Sequence, residues 1–309
     1  MGLSIVRGIR GPRRAAAATE GDVKSQGEWF LFAAHADVYT AQMIGGFSKE
    51  AILHEVLIAP RAVLMPRCDT QIIERPGWWQ IVTPSITDGG MNEVGCDELP
   101  EEHCDEIITQ TIALYRQLGL QFRWMLGPRT KPTDLAERLA RHGLQRSESF
   151  AMACATADVT AELSPAITTE SVSLANVDDF TQLMAEGWQT SAAPLDDLHR
   201  QMLSDPAGRY QLMVARHDGR LGAAAGYMAL ERSAYLVGAV TLPSSRGLGL
   251  YRALVHARLR HAQERGLVLA TTIARAETSA PILTRLGFKT VCAVPVFQLR
   301  LGSESVGSE

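Results

Sequence analysis

Apolar positions change their spacing repeatedly along this chain. Residues 27–43 and 48–60 carry apolar side chains three and four apart, which predicts two helices. Three short runs rich in Val, Ile and Trp follow at 61–67, 70–75 and 78–84. They predict strands, with Pro76-Gly77 turning between the last two. Residues 91–95 predict a fourth strand. A helix is expected from Pro100 to Leu118, with proline at its first position and Gly119 as its stop. Then come a strand over 120–127, a helix over 133–143 and a strand over 147–156.

Residues 156–170 have no clear period and are expected to link two halves. Beyond them the order recurs. Helices are expected at 176–188 and 193–205, and strands at 210–216 and 221–230 around the turn Asp218-Gly219. A strand at 234–242, a helix at 248–264, a strand at 267–274, a short helix at 279–287 and a last strand at 289–301 complete it. The helix-end, Gly-Leu, buried-strand pattern of 117–127 reappears at 264–274, and "LARHGLQ" (139–145) parallels "LTRLGFK" (283–289). The chain is therefore expected to be α/β (α+β), two copies of one fold, each a mixed and mostly antiparallel twisted sheet flanked by helices. Expected boundaries are a mobile basic arm at 1–24, domains at 25–155 and 171–301 around the linker, and a disordered tail at 302–309.

A chain of 309 residues with 46% hydrophobic content can bury two ordinary cores. Its net charge of -4 gives no electrostatic case for nucleic acid, and no run is apolar for long enough to suggest a membrane span. Five cysteines, an odd number without a CxxC, fit reduced thiols in a cytoplasmic protein. Nothing in the pattern sets an oligomeric state.

The candidate chemistry lies at "SSRGLGLYR" (244–252), between the buried strand 234–242 and the following helix. The first N–H groups of a helix lack partners and its dipole adds about half a positive charge there. Gly247 and Gly249 let an anion touch the backbone, and Arg246 and Arg252 add charge. A P-loop would need Lys-Ser/Thr, and a dinucleotide fingerprint would need glycine where Arg252 stands. Acyl-coenzyme A is the third phosphate ligand such a turn suits.

Here the sequence resembles the GNAT superfamily of N-acetyltransferases, whose signature turn is Q/R-x-x-G-x-G/A. Arg246 to Tyr251 matches it except at the last place, where Tyr251 stands for a small residue. Together with "SAPILTRLGF" and the element order, the resemblance covers about 170 to 301. It implies that backbone amides of Arg246, Gly247, Leu248, Gly249, Leu250 and Tyr251 cradle the pyrophosphate of acetyl-CoA or another acyl-CoA, the co-substrate, with Arg252 beside them. It implies that Ala239, Val240 and Thr241 line the pantetheine arm, with an oxyanion donor among their N–H groups, and that Ser279 joins the coenzyme contacts. The acceptor would be an amine of a small molecule or peptide, attacked directly in a ternary complex. Longer-chain acyl transfer and a non-catalytic acyl-CoA-binding regulatory protein are the alternatives.

Leu283 stands where many members place a tyrosine that protonates the leaving thiolate. An alkyl amine is neutral at pH 7 only about one part in 2,500, a barrier of about 4.6 kcal/mol unless a base helps. Glu231 and then Tyr235 are the candidates for that catalytic role. In the first half the corresponding turn has no GxG, and six carboxylates between 97 and 106 would repel phosphates. That half is expected to be a degenerate GNAT-like domain. Cys96, Glu101, Glu102, His103 and Cys104 lack zinc spacing, so no metal is expected. His256 and His261 are expected on a solvated or half-buried face, and Trp78-Trp79 to give one core ring and one exposed ring.

Overall fold

The computed structural model describes residues 43–301 except 88–89 and 160–162, with the backbone alone at Cys96. The basic arm, the helix expected over 27–43 apart from Met43, and the C-terminal tail lie outside the described residues.

In the first half, α1 (Lys49–Leu57) and the single turn α2 (Ala59–Ala62) precede β1 (Gln71–Arg75), β2 (Trp78–Val82) and β3 (Glu93–Glu98). Then come α3 (Cys104–Gln117), β4 (Phe122–Lys131), α4 (Leu135–Arg141) and β5 (Gln145–Ala155). The second half runs β6 (Ile167–Ser171), α5 (Val177–Trp188), α6 (Ala192–Leu203), β7 (Tyr210–His217), β8 (Arg220–Ala229) and β9 (Ser233–Thr241). It ends with α7 (Leu250–Glu264), β10 (Leu269–Arg275), α8 (Ser279–Arg285) and β11 (Lys289–Leu299).

All these strands form one sheet, ordered β1-β2-β3-β4-β11-β5-β10-β9-β8-β7-β6. Apart from the extra edge strand β6, the order is a palindrome in which the closing strand of each half has crossed over. β5 pairs with β10 of the second half, β11 pairs with β4 of the first, and the two crossed strands pair with each other at the centre. β3–β4 and β9–β10 are the parallel pairs and the other ladders are antiparallel.

Alternation sorts each strand onto two faces. On one face, Phe122, Trp124 and Leu126 pack under α3 and α4, and Ala234, Leu236, Ala270 and Ala274 pack against Val255, Leu259 and Leu283 of α7 and α8. On the other face, α5 and α6 cover Leu212, Val214, Ala224 and Val240. There α1 lies over the crossed strands through Ile52 and Val56, against Ala153, Leu269, Ala151 and Val294. Arg67 and Tyr210 tie the halves further: Arg67 donates to Ser85 Oγ (2.8 Å) and to the Pro194 carbonyl, and the Tyr210 hydroxyl to the Val63 carbonyl.

Several expectations need correction. Residues 61–67 do not form a strand. Pro60 sits at the start of the α2 turn and Arg67 is drawn inward by its partners, so the apolar side chains between them do not alternate across a sheet. The expected linker contains the start of β6, an edge strand paired only with β7; with one neighbour and little burial, it needs no marked apolar period. The helix expected from Pro100 opens instead with a 3-10 turn, Glu101–His103, and becomes α-helical at Cys104. The helix expected from residue 248 starts at Leu250 because Gly249 is its left-handed N-cap.

Candidate active site

β9 and β10 are paired over three rungs only, Ser233↔Leu269, Ala234↔Ala270 and Tyr235↔Thr271. The Thr272 hydroxyl then reaches across to the Leu236 carbonyl at 3.0 Å, and past it no strand of the described residues pairs with that edge of β9. On the other edge β9 keeps its partner β8, but with a bulge: Val237 faces Gly226 and Val240 faces Ala224, so Gly238 and Ala239 oppose Ala225 alone. Gly238 takes φ 49°, a left-handed conformation that glycine adopts without a Cβ clash. The bulge bends β9 where β10 leaves it. The result is a slot whose mouth is the turn after Thr241.

The first half lacks this slot. β3 and β4 stay paired from Glu93↔Arg123 to Cys96↔Leu126 and, after an irregularity, at Glu98↔Lys131. Two parallel pairs occupy equivalent places in the palindrome, and only the second opens.

The mouth is built from glycine. Gly247 and Gly249 have φ of 80° and 84°, and residues 246–249 are exposed. A Cβ at Gly247 would meet nothing within 4 Å, and one at Gly249 would come 3.4 Å from Ile167 of β6. Among the described residues no side-chain cap is seen at α7, whose N-cap is Gly249, so its leading N–H groups face the turn with the dipole behind them. Two further glycines seat this mouth. A Cβ on Gly222 would lie 2.5 Å from Ser245 Oγ and 2.7 Å from Leu250 Cδ1, and a Cβ on Gly187 would lie 1.9 Å from Val240. The sequence reading missed both, because the close approaches that require them are tertiary. An uncapped helix start, glycines open to solvent and an adjoining unpaired strand edge fit a pyrophosphate followed by an extended amide arm.

The expected donor-site residues divide. Arg246, Gly247, Leu248, Gly249, Leu250, Tyr251 and Arg252 lie at the turn and the first turn of α7, and Ala239 is exposed beside the bulge. Val240 instead turns its side chain into α5, leaving its backbone to the strand. Thr241 is half-buried at the strand end. Ser279 Oγ accepts the Arg275 N–H at 3.0 Å and so fastens the start of α8. Leu283 is 1% exposed within the apolar cluster under α7, so no proton donor stands there.

Glu231 is exposed in the β8–β9 turn, at the closed end of the ladder. Tyr235 stands at the last rung, on the face that carries α1, half-buried and packed against the cluster of Val56, Ala151 and Val294. Burial, and then the Glu93 carboxylate, push its hydroxyl up to about 12, with Arg123 opposing. At neutral pH it is a phenol, able to donate a hydrogen bond and unsuited to taking a proton. Arg123 donates through Nε to Glu93 Oε2 at 2.6 Å, and its side chain is 43% exposed. These two first-half residues thus lie electrostatically within reach of the second half's tyrosine, which nothing in the linear pattern announced.

Glu55 was also missed. It reaches from α1 to the same rungs: the Ser233 hydroxyl donates to its Oε2, and the Thr271 hydroxyl to its backbone carbonyl at 3.4 Å. Elsewhere, Trp78 is buried and Trp79 half-buried beneath Arg61, whose guanidinium carbon is 5.2 Å from the ring centroid. His256 and His261 are half-buried, and His261 Nδ1 meets the Tyr227 hydroxyl at 2.7 Å.

With this geometry in view, the comparisons with known proteins are informative. Residues 176–298 match the model of the acetyltransferase (GNAT) domain. The second half carries a GNAT domain. The solved structures of similar fold include a GCN5-related N-acetyltransferase from Kribbella flavida, with TM-score 0.59 and 17% identity over 77% of this chain and 92% of that one. A functionally unknown conserved protein from Staphylococcus epidermidis gives TM-score 0.59 and 12% identity over 78% and 97%. A GCN5-related N-acetyltransferase from Sphaerobacter thermophilus gives 0.51 and 13% over 73% and 82%. No curated protein matches the chain in sequence. At these identities the neighbours establish the fold. The slot, the bulge and the glycine mouth all fall inside the matched GNAT domain, whereas Glu55, Glu93 and Arg123 fall outside it. Among the described residues no helix is long and apolar enough to cross a membrane.

Proposed function

We propose that the chain is an acyl-CoA-dependent N-acyltransferase that works on a primary amine of a small molecule or peptide. The observation that carries this reading is the parting of β9 and β10 beyond Tyr235↔Thr271, directly ahead of the left-handed glycines at 247 and 249. Amides at the start of α7 hold the pyrophosphate, the free edge of β9 takes the pantetheine arm, and the acyl carbonyl comes to rest at the bulge. An N–H released by the bulge serves there as oxyanion donor. Tyr235 supplies a hydrogen bond beside the reacting centre. The first half, 25–155, is a degenerate copy of the domain at 171–301: its β3–β4 pair is zipped shut and its turn is acidic.

The test is release of free thiol from acetyl-CoA in the presence of amino sugars, amino acids, polyamines and peptides, each supplied singly. Turnover with any of them carries the proposal. Tight acetyl-CoA binding without turnover across the panel favours a second reading, a non-catalytic acyl-CoA sensor, for which the burial of Leu283 is the specific observation.

A further inference from the structure

We infer that Arg258 of α7 is a positioning residue of this site: its buried guanidinium ties the helix start that holds the pyrophosphate to the rung that sets the oxyanion donor. This rests on the acyltransferase reading and adds to it a residue to which that reading gives no role. A buried charge is costly unless a countercharge offsets it. Arg258 is 1% exposed and among the largest fully buried side chains. Arg67, the other deeply buried arginine, has Asp69 at 3.7 Å, whereas among the described residues no carboxylate offsets Arg258. All its partners are neutral. Nε donates to the Leu254 carbonyl at 3.1 Å, Nη1 to the Gly226 carbonyl at 3.0 Å, and the guanidinium also to the Tyr251 hydroxyl.

Two of these partners belong to opposite ends of the donor site. Tyr251 is the second residue of α7, in the turn whose amides face the pyrophosphate, and it holds the place that the signature gives to a small residue. It packs inward against the cluster that contains Val255 and Leu283. Gly226 is the β8 residue facing Val237, the last rung before the bulge of Gly238 and Ala239. Tyr251, Leu254 and Arg258 are spaced three and seven apart and so share one face of α7. The guanidinium thus reaches from the first turn of the helix to the strand that backs the bulge. A leucine or methionine at this position would fill the space and supply neither the hydrogen bonds nor the charge.

The N–H at the bulge must stay aimed at an oxygen that gains charge only as the amine adds. β8 fixes the bulge from behind, and Arg258 fixes β8 to α7, so the pyrophosphate grip and the oxyanion donor keep one spacing. The positive charge, left without a countercharge one strand behind the slot, also favours the negative oxygen of the transition state over the neutral thioester. Both effects act after binding. Without them acetyl-CoA binds about as well and reacts more slowly.

The test uses the full chain with acetyl-CoA, and with hydroxylamine or the fastest amine of the panel as acceptor. Calorimetric titration with acetyl-CoA counts the binding-competent sites, and kcat is expressed per site, so the amount of folded variant drops out. Arg258→Met is expected to lower kcat by about 10- to 100-fold, less than the loss of a direct oxyanion donor, with acetyl-CoA affinity within about threefold of wild type. Arg258→Lys, which keeps the charge, should recover part of that kcat. Tyr251→Phe removes only the tie to α7 and should lower kcat in the same pattern but less; it decides the matter if Arg258→Met yields no binding sites. A kcat per site at the wild-type value in these variants, or a loss of affinity that accounts for the whole defect, overturns the role of Arg258 and leaves the acyltransferase reading standing. A wild-type protein that releases no thiol with any of these acceptors overturns the reading itself.

Discussion

Single residues at the mouth of the slot are constrained by backbone conformation more than by crowding. Gly249 has φ 84° and an Ile167 methyl at 3.4 Å from where a Cβ would stand. Gly249→Glu adds backbone strain, bulk and a negative charge where a pyrophosphate is to bind. It is expected to weaken acetyl-CoA binding at least 100-fold, about 2.7 kcal/mol, by calorimetric titration. Unchanged affinity would remove this turn from the donor site. Tyr235 makes a separate prediction. Because its hydroxyl titrates near 12, it stays protonated throughout the working range, so activity lost in Tyr235→Phe should be lost equally at pH 6 and pH 9. A defect confined to one end of that range, seen in kcat against pH, would mean that the phenol exchanges its proton during turnover.

Helices and strands show how far sequence could go. The α7 apolar stripe and the β7–β8 turn at Asp218-Gly219 are visible because each depends on neighbours in sequence: helical spacing in the first case, and left-handed φ values of 48° and 77° in the second. The glycine turn was visible for the same reason. Glu55 was not, since a carboxylate on an amphipathic helix looks solvated until a buried serine from 178 residues away is found donating to it. Gly187 and Gly222 were silent for a similar reason, as each is explained by an atom from another element. The α5–α6 pair offers a test of its own. His199 is 4% exposed, meets the Thr181 hydroxyl at 2.8 Å and has its pKa lowered to about 4, chiefly by burial. The unfolded chain binds this proton near pH 6.5 and the folded chain near 4. The stabilisation is complete above 6.5 and is lost as pH falls through that window. The loss is up to about 3 kcal/mol. Thermal melts of the native protein should therefore fall more steeply between pH 6.5 and 4 than those of His199→Gln.

At the level of the whole molecule, the crossing of β5 and β11 matters most. Repetition of element order along the chain suggested two self-contained copies, and periodicity carries no information about which sheet a closing strand joins. Because of the exchange, β10 has β5 of the first half as its outer neighbour, and β11 lies between two first-half strands. A fragment of residues 164–301 would present both as unpaired edges. Such a fragment is expected to aggregate or to form strand-swapped dimers, seen by size-exclusion chromatography with circular dichroism. A well-folded monomer that binds acetyl-CoA would show that the crossed strands contribute little.

The same crossing sets a timetable for synthesis. β5 leaves the ribosome more than a hundred residues before either of its partners, β10 and β11, has been made. At about 5–20 residues per second, its Phe150-Ala-Met-Ala-Cys154 run waits roughly 5–20 s without a ladder to join. The nascent chain must keep that sticky segment away from its neighbours on the polysome until β10 and β11 have been made.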